Sequence, residues 1–133
     1  MFLDEIATRL AAQSVGTVGT NIFKGSRAMI PNGDGPYLSL TETGGTAPGR
    51  IHNVATAHPQ RPSAQVAVRA KNYATARAMA HAAYNALDGV SNTTLSGTFY
   101  QSIRAMQEPT DIGTDSIERV MIVFNIEVEK QPS

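Results

Sequence analysis

The order of hydrophobic patterns in the second half of the chain restricts its fold more than any other feature of the sequence. Residues 63–128 show an alternating strand, an alanine-rich helix, a second strand, a charged loop with Gly and Pro, and a long final strand. A helix that lies between strands in the chain buries its apolar face by packing on the sheet they form. The strands are predicted at 64–71, 98–106 and 119–128, and the helix at 72–88.

The predicted helix at 72–88 carries small residues on the face that would meet the sheet. Asn72 is suited to cap its first turn, and Gly89 is suited to end it. Ala80 and Ala83 fall on one face, where small side chains allow the helix to approach closely. We therefore expect both alanines to pack directly on the sheet.

The first half of the chain adds a helix and two short strands. Apolar residues recur at helical spacing over residues 2–13, with Asp4 and Glu5 near the positive end of the helix dipole. The order α-β-β-β-α-β-β predicts one α+β domain over residues 1–133, in which two helices pack on a mixed or antiparallel sheet. The two strands are predicted at 21–24 and 37–42.

Two stretches of the chain lack any periodicity. Residues 44–62 carry three glycines, three prolines, two histidines and two arginines. A connection of this length in a compact domain is usually functional or becomes ordered on binding. Residues 109–116 form a second, shorter irregular loop in this interpretation.

Composition excludes several classes of protein. The chain has no cysteine, so it has no disulfide, no thiolate metal site and no cysteine nucleophile. Acids near the start are unlike a signal peptide and no apolar run approaches a membrane span, so we expect a soluble, unprocessed protein. Only 17% of residues are charged, against roughly 25% in typical soluble domains, which is compatible with burial against neighbouring subunits.

Charge is distributed unevenly along a chain whose formal net charge is zero. Between residues 24 and 77 there are seven basic residues and two acids, whereas from residue 88 onward there are seven acids and three basic residues. One interpretation is chance combined with solvated faces. The other is a protomer suited to head-to-tail contact, in which the basic side of one subunit meets the acidic side of the next.

No stretch of the sequence matches a catalytic or cofactor-binding motif. Residues 44–51 have the two glycines of a P-loop, but Arg50 stands where the phosphate-binding lysine belongs and no hydroxyl follows it. His52 and His58 share a loop, while His81 lies on the predicted helix, and their spacing does not make them converge on a metal. We expect no cofactor, no metal and no enzyme activity.

Two acids, Asp111 and Asp115, come nearest to a functional pair of carboxylates. The stretch lacks the ligand positions of a calcium loop, and Gly113 between the acids favours a solvated turn. The basic residues are dispersed, and there is no basic helix or aromatic stacking motif for nucleic acid.

Six segments of the second half carry a resemblance to a known family. They are SAQVAVRA at 63–70, YATAR at 73–77, ALDG at 86–89, YQSIRAMQEP at 100–109, GTDSIER at 113–119 and VFNI at 123–126. In these segments the chain resembles the small bacteriophage tail-terminator and minor capsid proteins, in which a strand, an alanine-rich helix and a hairpin loop with Gln-x-Pro, Gly-x-Asp and Arg close the domain. The likeness covers about half of the chain, because the first half agrees only in topology.

The resemblance implies a structural virion protein of the tail or neck, present in the host cytoplasm during assembly. Such proteins form a six-membered ring on the head-proximal end of a tail tube, stop its polymerisation and offer a surface to the head. The implied partners are further copies in a hexameric ring, the tail-tube protein and a head–tail connector or neck protein. Genome DNA would pass through the lumen without specific binding, and no membrane or cofactor is implied.

Within such a ring, the charge asymmetry suggests five residues for contacts with subunits or partners. Arg50 and Arg61 belong to the basic loop, Arg69 to the strand that follows it, and Asp111 and Asp115 to the acidic loop.

Two alternatives to a tail terminator stay open on the sequence. One is a head-completion or neck connector protein, which would use the same assembly logic at a different position. The other is a small α+β ligand-binding domain or enzyme that uses the loop with His52 and His58.

Overall fold

A computed structural model describes residues 2–24, 36–44, 61–114 and 119–130 of the chain. It confirms the predicted α+β class and the order α-β-β-β-α-β-β, with two additional strands. The elements are α1 (Phe2–Ala12), β1 (Ile22–Lys24), β2 (Tyr37–Glu42), β3 (Ser63–Ala70), α2 (Tyr73–Leu87), β4 (Val90–Leu95), β5 (Thr98–Ala105), β6 (Thr110–Thr114) and β7 (Val120–Lys130).

The described strands form one mixed sheet with β7 near its centre. Their order is β1-β2-β3-β7-β5-β4, and β6 pairs with β7 in line with β5. The pair β1 and β2 is parallel, and every other pair is antiparallel. Because β5 and β6 follow each other along the same side of β7, these three strands form one long hairpin.

The alternation in β3 and β7 places one side of each strand in the core, as the sequence predicts. Val66 and Val68 on β3 pair with Phe124 and Ile122 on β7, and all four side chains are fully buried. Residues at the intervening positions, such as Gln65, are half-buried on the opposite face of the sheet. The hydrophobic core therefore lies between this sheet and the helices.

Helix α2 packs on β3, β5 and β7, and its small residues make the contact close. Ala80 and Ala83 are both fully buried, which confirms the predicted packing face. The Asn72 side chain accepts a hydrogen bond of 2.8 Å from the backbone N–H of Ala74, and Gly89 follows the helix with φ of 84°. Both helix-end predictions are therefore confirmed.

Helix α1 contacts strands near both edges of the curled sheet. Strands β1 and β2 lie at one edge of the sheet and β4 lies at the other. Asp4 forms an ion pair with Lys24 on β1, and the hydrogen bond and charge of that lysine lower the pKa of Asp4. The Arg9 side chain donates to the backbone carbonyl of Ala86 at the end of α2 (3.3 Å).

A buried polar cluster completes the attachment of α1. The Glu5 carboxylate is only 4% exposed, and it accepts hydrogen bonds from the hydroxyls of Thr98 and Tyr100 on β5. A buried carboxylate is tolerated when donors replace the water it has lost. The cluster therefore supplies a directional contact in an otherwise apolar interface.

Two strands lie where the sequence did not indicate them. The irregular loop predicted at 109–116 is wrong over Thr110–Thr114, which form β6, and β4 was not predicted. All five side chains of β6 are exposed, so the strand has no apolar alternation to mark it. In β4 only the end residues Val90 and Leu95 are buried, and Asn92 between them has a left-handed φ of 46°, so this strand also lacks an apolar alternation.

Candidate assembly surfaces

The structure describes three of the five predicted contact residues. Arg61, Arg69 and Asp111 lie within the described ranges, whereas Arg50 and Asp115 lie outside them. Most of the loop predicted at 44–62, with His52 and His58, is also outside the described residues. Arg61 and Arg69 lie at opposite ends of β3, whose eight residues span roughly 26 Å.

Arg61 lines a recess of about 390 Å³ at the end of the sheet where β3 begins. The other walls come from Ser102 and Arg104 on β5 and from Glu127 and Glu129 on β7. The Arg104 guanidinium contacts the Glu127 carboxylate at 3.5 Å. The sequence did not single out these β5 and β7 residues, because they are distant from residue 61 along the chain.

Arg69 lies at the other end of β3 on the face that points away from the helices. Its guanidinium carbon is 5.8 Å from the centroid of the Tyr37 ring on β2, a cation–π distance. The Tyr37 ring in turn meets Phe23 on β1 edge-on, with centroids 6.0 Å apart. Arg69 is half-buried, so part of its role is to pack against this aromatic pair.

Asp111 stabilises the backbone of β6. Its carboxylate accepts a hydrogen bond of 2.8 Å from the N–H of Gly113, whose φ is 104°. Asp111 pairs with Ile122 and Gly113 with Met121, so Ile112 between them is an extra, bulged residue. The carboxylate is exposed and remains accessible to a partner.

The β6 end of the hairpin presents apolar side chains to solvent. Met106, just before β6, is 58% exposed, and the bulged Ile112 is 57% exposed. Every residue of Thr110–Thr114 is exposed, so nothing in the described part of the chain covers this strand. Large apolar side chains on an exposed strand are typical of a contact surface.

The flank between α2 and this hairpin carries negative charge. The carboxylate of Asp88, together with partial burial and the charge of Glu108, raises the pKa of Tyr84. Asp88 also accepts a hydrogen bond of 2.9 Å from the N–H of Ala105 on β5. The exposed His81 contacts Tyr84 edge-on (6.4 Å), and no metal-binding cluster occurs among the described residues.

The separation of charge along the sequence is not kept in space among the described residues. Acids of β7 lie beside the basic Arg61, and Arg77 donates to the Pro109 carbonyl (2.8 Å) next to Glu108. Arg69 and Asp111 flank β7 from its two sides, opposite Met121 and Ile122. Each end of the protomer therefore carries both signs of charge.

Comparison with known proteins decides the family. A family model described as bacteriophage tail terminator protein matches residues 9–132, nearly the whole chain. The chain belongs to the bacteriophage tail terminator family. Membership in this family makes it a structural protein of the virion, located in the tail or neck, and not an enzyme.

Solved structures agree with this fold. A chain from the virion of a native gene transfer agent particle matches with a TM-score of 0.69 and 18% identity. The match covers 98% of this chain and 94% of that one. A search of curated proteins found no significant match. None of the described helices is long and apolar enough to span a membrane.

Proposed function

We propose that the chain caps the head-proximal end of a phage tail tube as a ring, ends tube polymerisation and joins the tail to the head. The observation that carries this proposal is the match to the tail terminator family over residues 9–132. The whole chain, residues 1–133, would act as one terminator-like domain with a contact loop at 44–62.

A closed ring requires each protomer to use two different surfaces, one for each neighbour. The protomer has two such surfaces, which are separated by the length of β3. One is the recess that Arg61 lines, and the other is the end of the sheet with Arg69 and Asp111. We assign these residues, with Arg50 and Asp115, to contacts in a homo-oligomeric ring, which we propose to be hexameric.

The exposed hairpin suits a contact outside the ring. Met106 and Ile112 offer apolar anchors, and burying each would remove exposed hydrophobic area from water. We assign this surface to the tail-tube protein or to the head–tail connector or neck protein. Genome DNA passes through the lumen of the ring without specific contacts in this proposal.

The proposal is tested by removing the chain from the phage and examining the tails. A terminator that ends polymerisation leaves tubes of abnormal length, which do not join heads, when it is missing. Tails of normal length with unjoined heads would instead indicate a head-completion or neck connector protein. Normal, joined particles would contradict any essential role in completing the tail.

A further inference from the structure

Nearly all charged side chains in the described part of the chain are engaged within the protomer. Every described lysine and arginine has a hydrogen bond, ion pair or ring contact except Arg61 and Lys71, both exposed. Among described carboxylates, Glu129 is half-buried and has no such partner, whereas Glu42 and Glu108 are exposed to water. Glu129 is therefore the one half-buried carboxylate in the described part of the chain that has no ion pair or hydrogen bond within the protomer.

Glu129 lines the 390 Å³ recess, where a side chain from another subunit could contact its carboxylate. Its neighbour Glu127 is already neutralised by Arg104 (3.5 Å). Arg61 is exposed, whereas Glu129 is half-buried. A positive charge brought to Glu129 would give its carboxylate the charge-assisted hydrogen bond that it lacks within the protomer. The hydroxyl of Ser102, in the same wall, can accept a second hydrogen bond from an ammonium.

The lysine suited to this site lies at the far end of the same protomer. Lys71 directly follows Ala70, the last residue of β3, whereas the recess lies where β3 begins. Eight strand residues separate the two ends by roughly 26 Å, which no lysine side chain can span. Lys71 can therefore reach the recess only in a second copy of the chain.

We propose that Lys71 of one copy enters the recess of the next copy, where its ammonium binds the Glu129 carboxylate. Donor and acceptor are different surfaces at opposite ends of the protomer, so the contact is head-to-tail and repeats from copy to copy. The contact rests on the ring proposed above and specifies which surfaces of neighbouring subunits meet. It adds one pair to that interface, Lys71 and Glu129.

The first test is chemical cross-linking of purified tails with a carbodiimide, which joins an amine to a carboxylate in direct contact. We expect an amide between peptides containing Lys71 and Glu129, visible by mass spectrometry and absent from a Glu129→Gln variant. If the tails contain the protein but no such link, the inference is wrong and the ring proposal stands. If the tails lack the protein, both are wrong.

The second test is a charge swap, measured as the fraction of tails that carry the protein. Glu129→Lys and Lys71→Glu should each lower this fraction by about tenfold, and the double variant should restore it to within about threefold of wild type. Glu42→Lys, an equal charge change outside the recess, should have no effect. Thermal unfolding checks that each variant is folded. A double variant as defective as the folded single variants would overturn the proposal.

Discussion

The hydroxyl of Tyr100 on β5 donates a hydrogen bond of 2.7 Å to the Glu5 carboxylate on α1, and both residues are buried although 95 positions separate them in the chain. Thr98 donates to the second oxygen of the same carboxylate. This contact joins the first helix to the hairpin that carries the exposed apolar residues. The stability of the curled sheet therefore depends on a polar contact as well as on its apolar core.

Tyr100→Phe should destabilise the protein by about 1–3 kcal/mol, because it removes a donor from a buried carboxylate and leaves the packing almost unchanged. The free energy of unfolding, measured by urea denaturation, tests this. Tyr73→Phe is the matched control, since Tyr73 is 50% exposed. Equal stabilities of the two variants would mean that the hydrogen bond to Glu5 contributes nothing.

Alkaline pH should weaken the fold through the same residue. Burial, followed by the hydrogen bond to Glu5 and its charge, raises the pKa of Tyr100 above the ordinary value of 10.0. The folded state thus favours the neutral phenol, so its contribution is complete below pH 10.0 and falls as the pH rises further. The free energy of unfolding should drop between pH 10 and about 11 more steeply in wild type than in Tyr100→Phe, by up to about 1.4 kcal/mol per pH unit. Parallel pH profiles would contradict this.

Ala83→Leu should lower stability by about 1–3 kcal/mol, because α2 has no room for a larger side chain against β3 and β7. Ala82→Leu, at the adjacent exposed position, makes the same chemical change in the same helix and should be nearly neutral. Melting temperatures of the two variants decide the question. An unchanged melting temperature in Ala83→Leu would show that this face of α2 accommodates larger residues.

Periodicity in the sequence was enough to predict the core but not the polar features. Alternation of apolar and polar residues predicts the strands that contain Val66, Val68 and Phe124, and it also predicts that these side chains are buried, as they are. The strand β6 exists only because its backbone pairs with β7, and its exposed side chains carry no pattern. The sequence placed Glu5 only near the positive end of the helix dipole. Its hydrogen-bond partners lie on β5, and only the fold brings them together.

For the candidate assembly surfaces, too, the sequence indicated single residues, whereas only the fold shows which residues lie together. The sequence suggested Arg61 from charge, and the fold places it in a recess with Glu129, from the far end of the chain. The predicted complementarity of basic and acidic halves did not anticipate that β3 and β7 run side by side, which mixes their charges. Asp111 was selected as an acid and proves to hold the backbone of Gly113.

Reversing Arg50 and Arg61 together should impair assembly in a salt-dependent way. Single exposed ion pairs contribute only about 0–1 kcal/mol, so each reversal alone should have little effect. Ring formation and head joining, measured at low and high salt, should both be reduced in the double variant, most clearly at low salt. Normal assembly at both salt levels would remove these arginines from the interface and leave residues 44–62 as a solvated loop.

The position of the chain on the virion tests the central claim most directly. Electron micrographs of purified tails decorated with antibodies against the chain show where it binds. We predict a single labelled ring at the head-proximal end of each tube. Label along the whole tube, at the distal tip or only on heads without tails would contradict a role as the terminator.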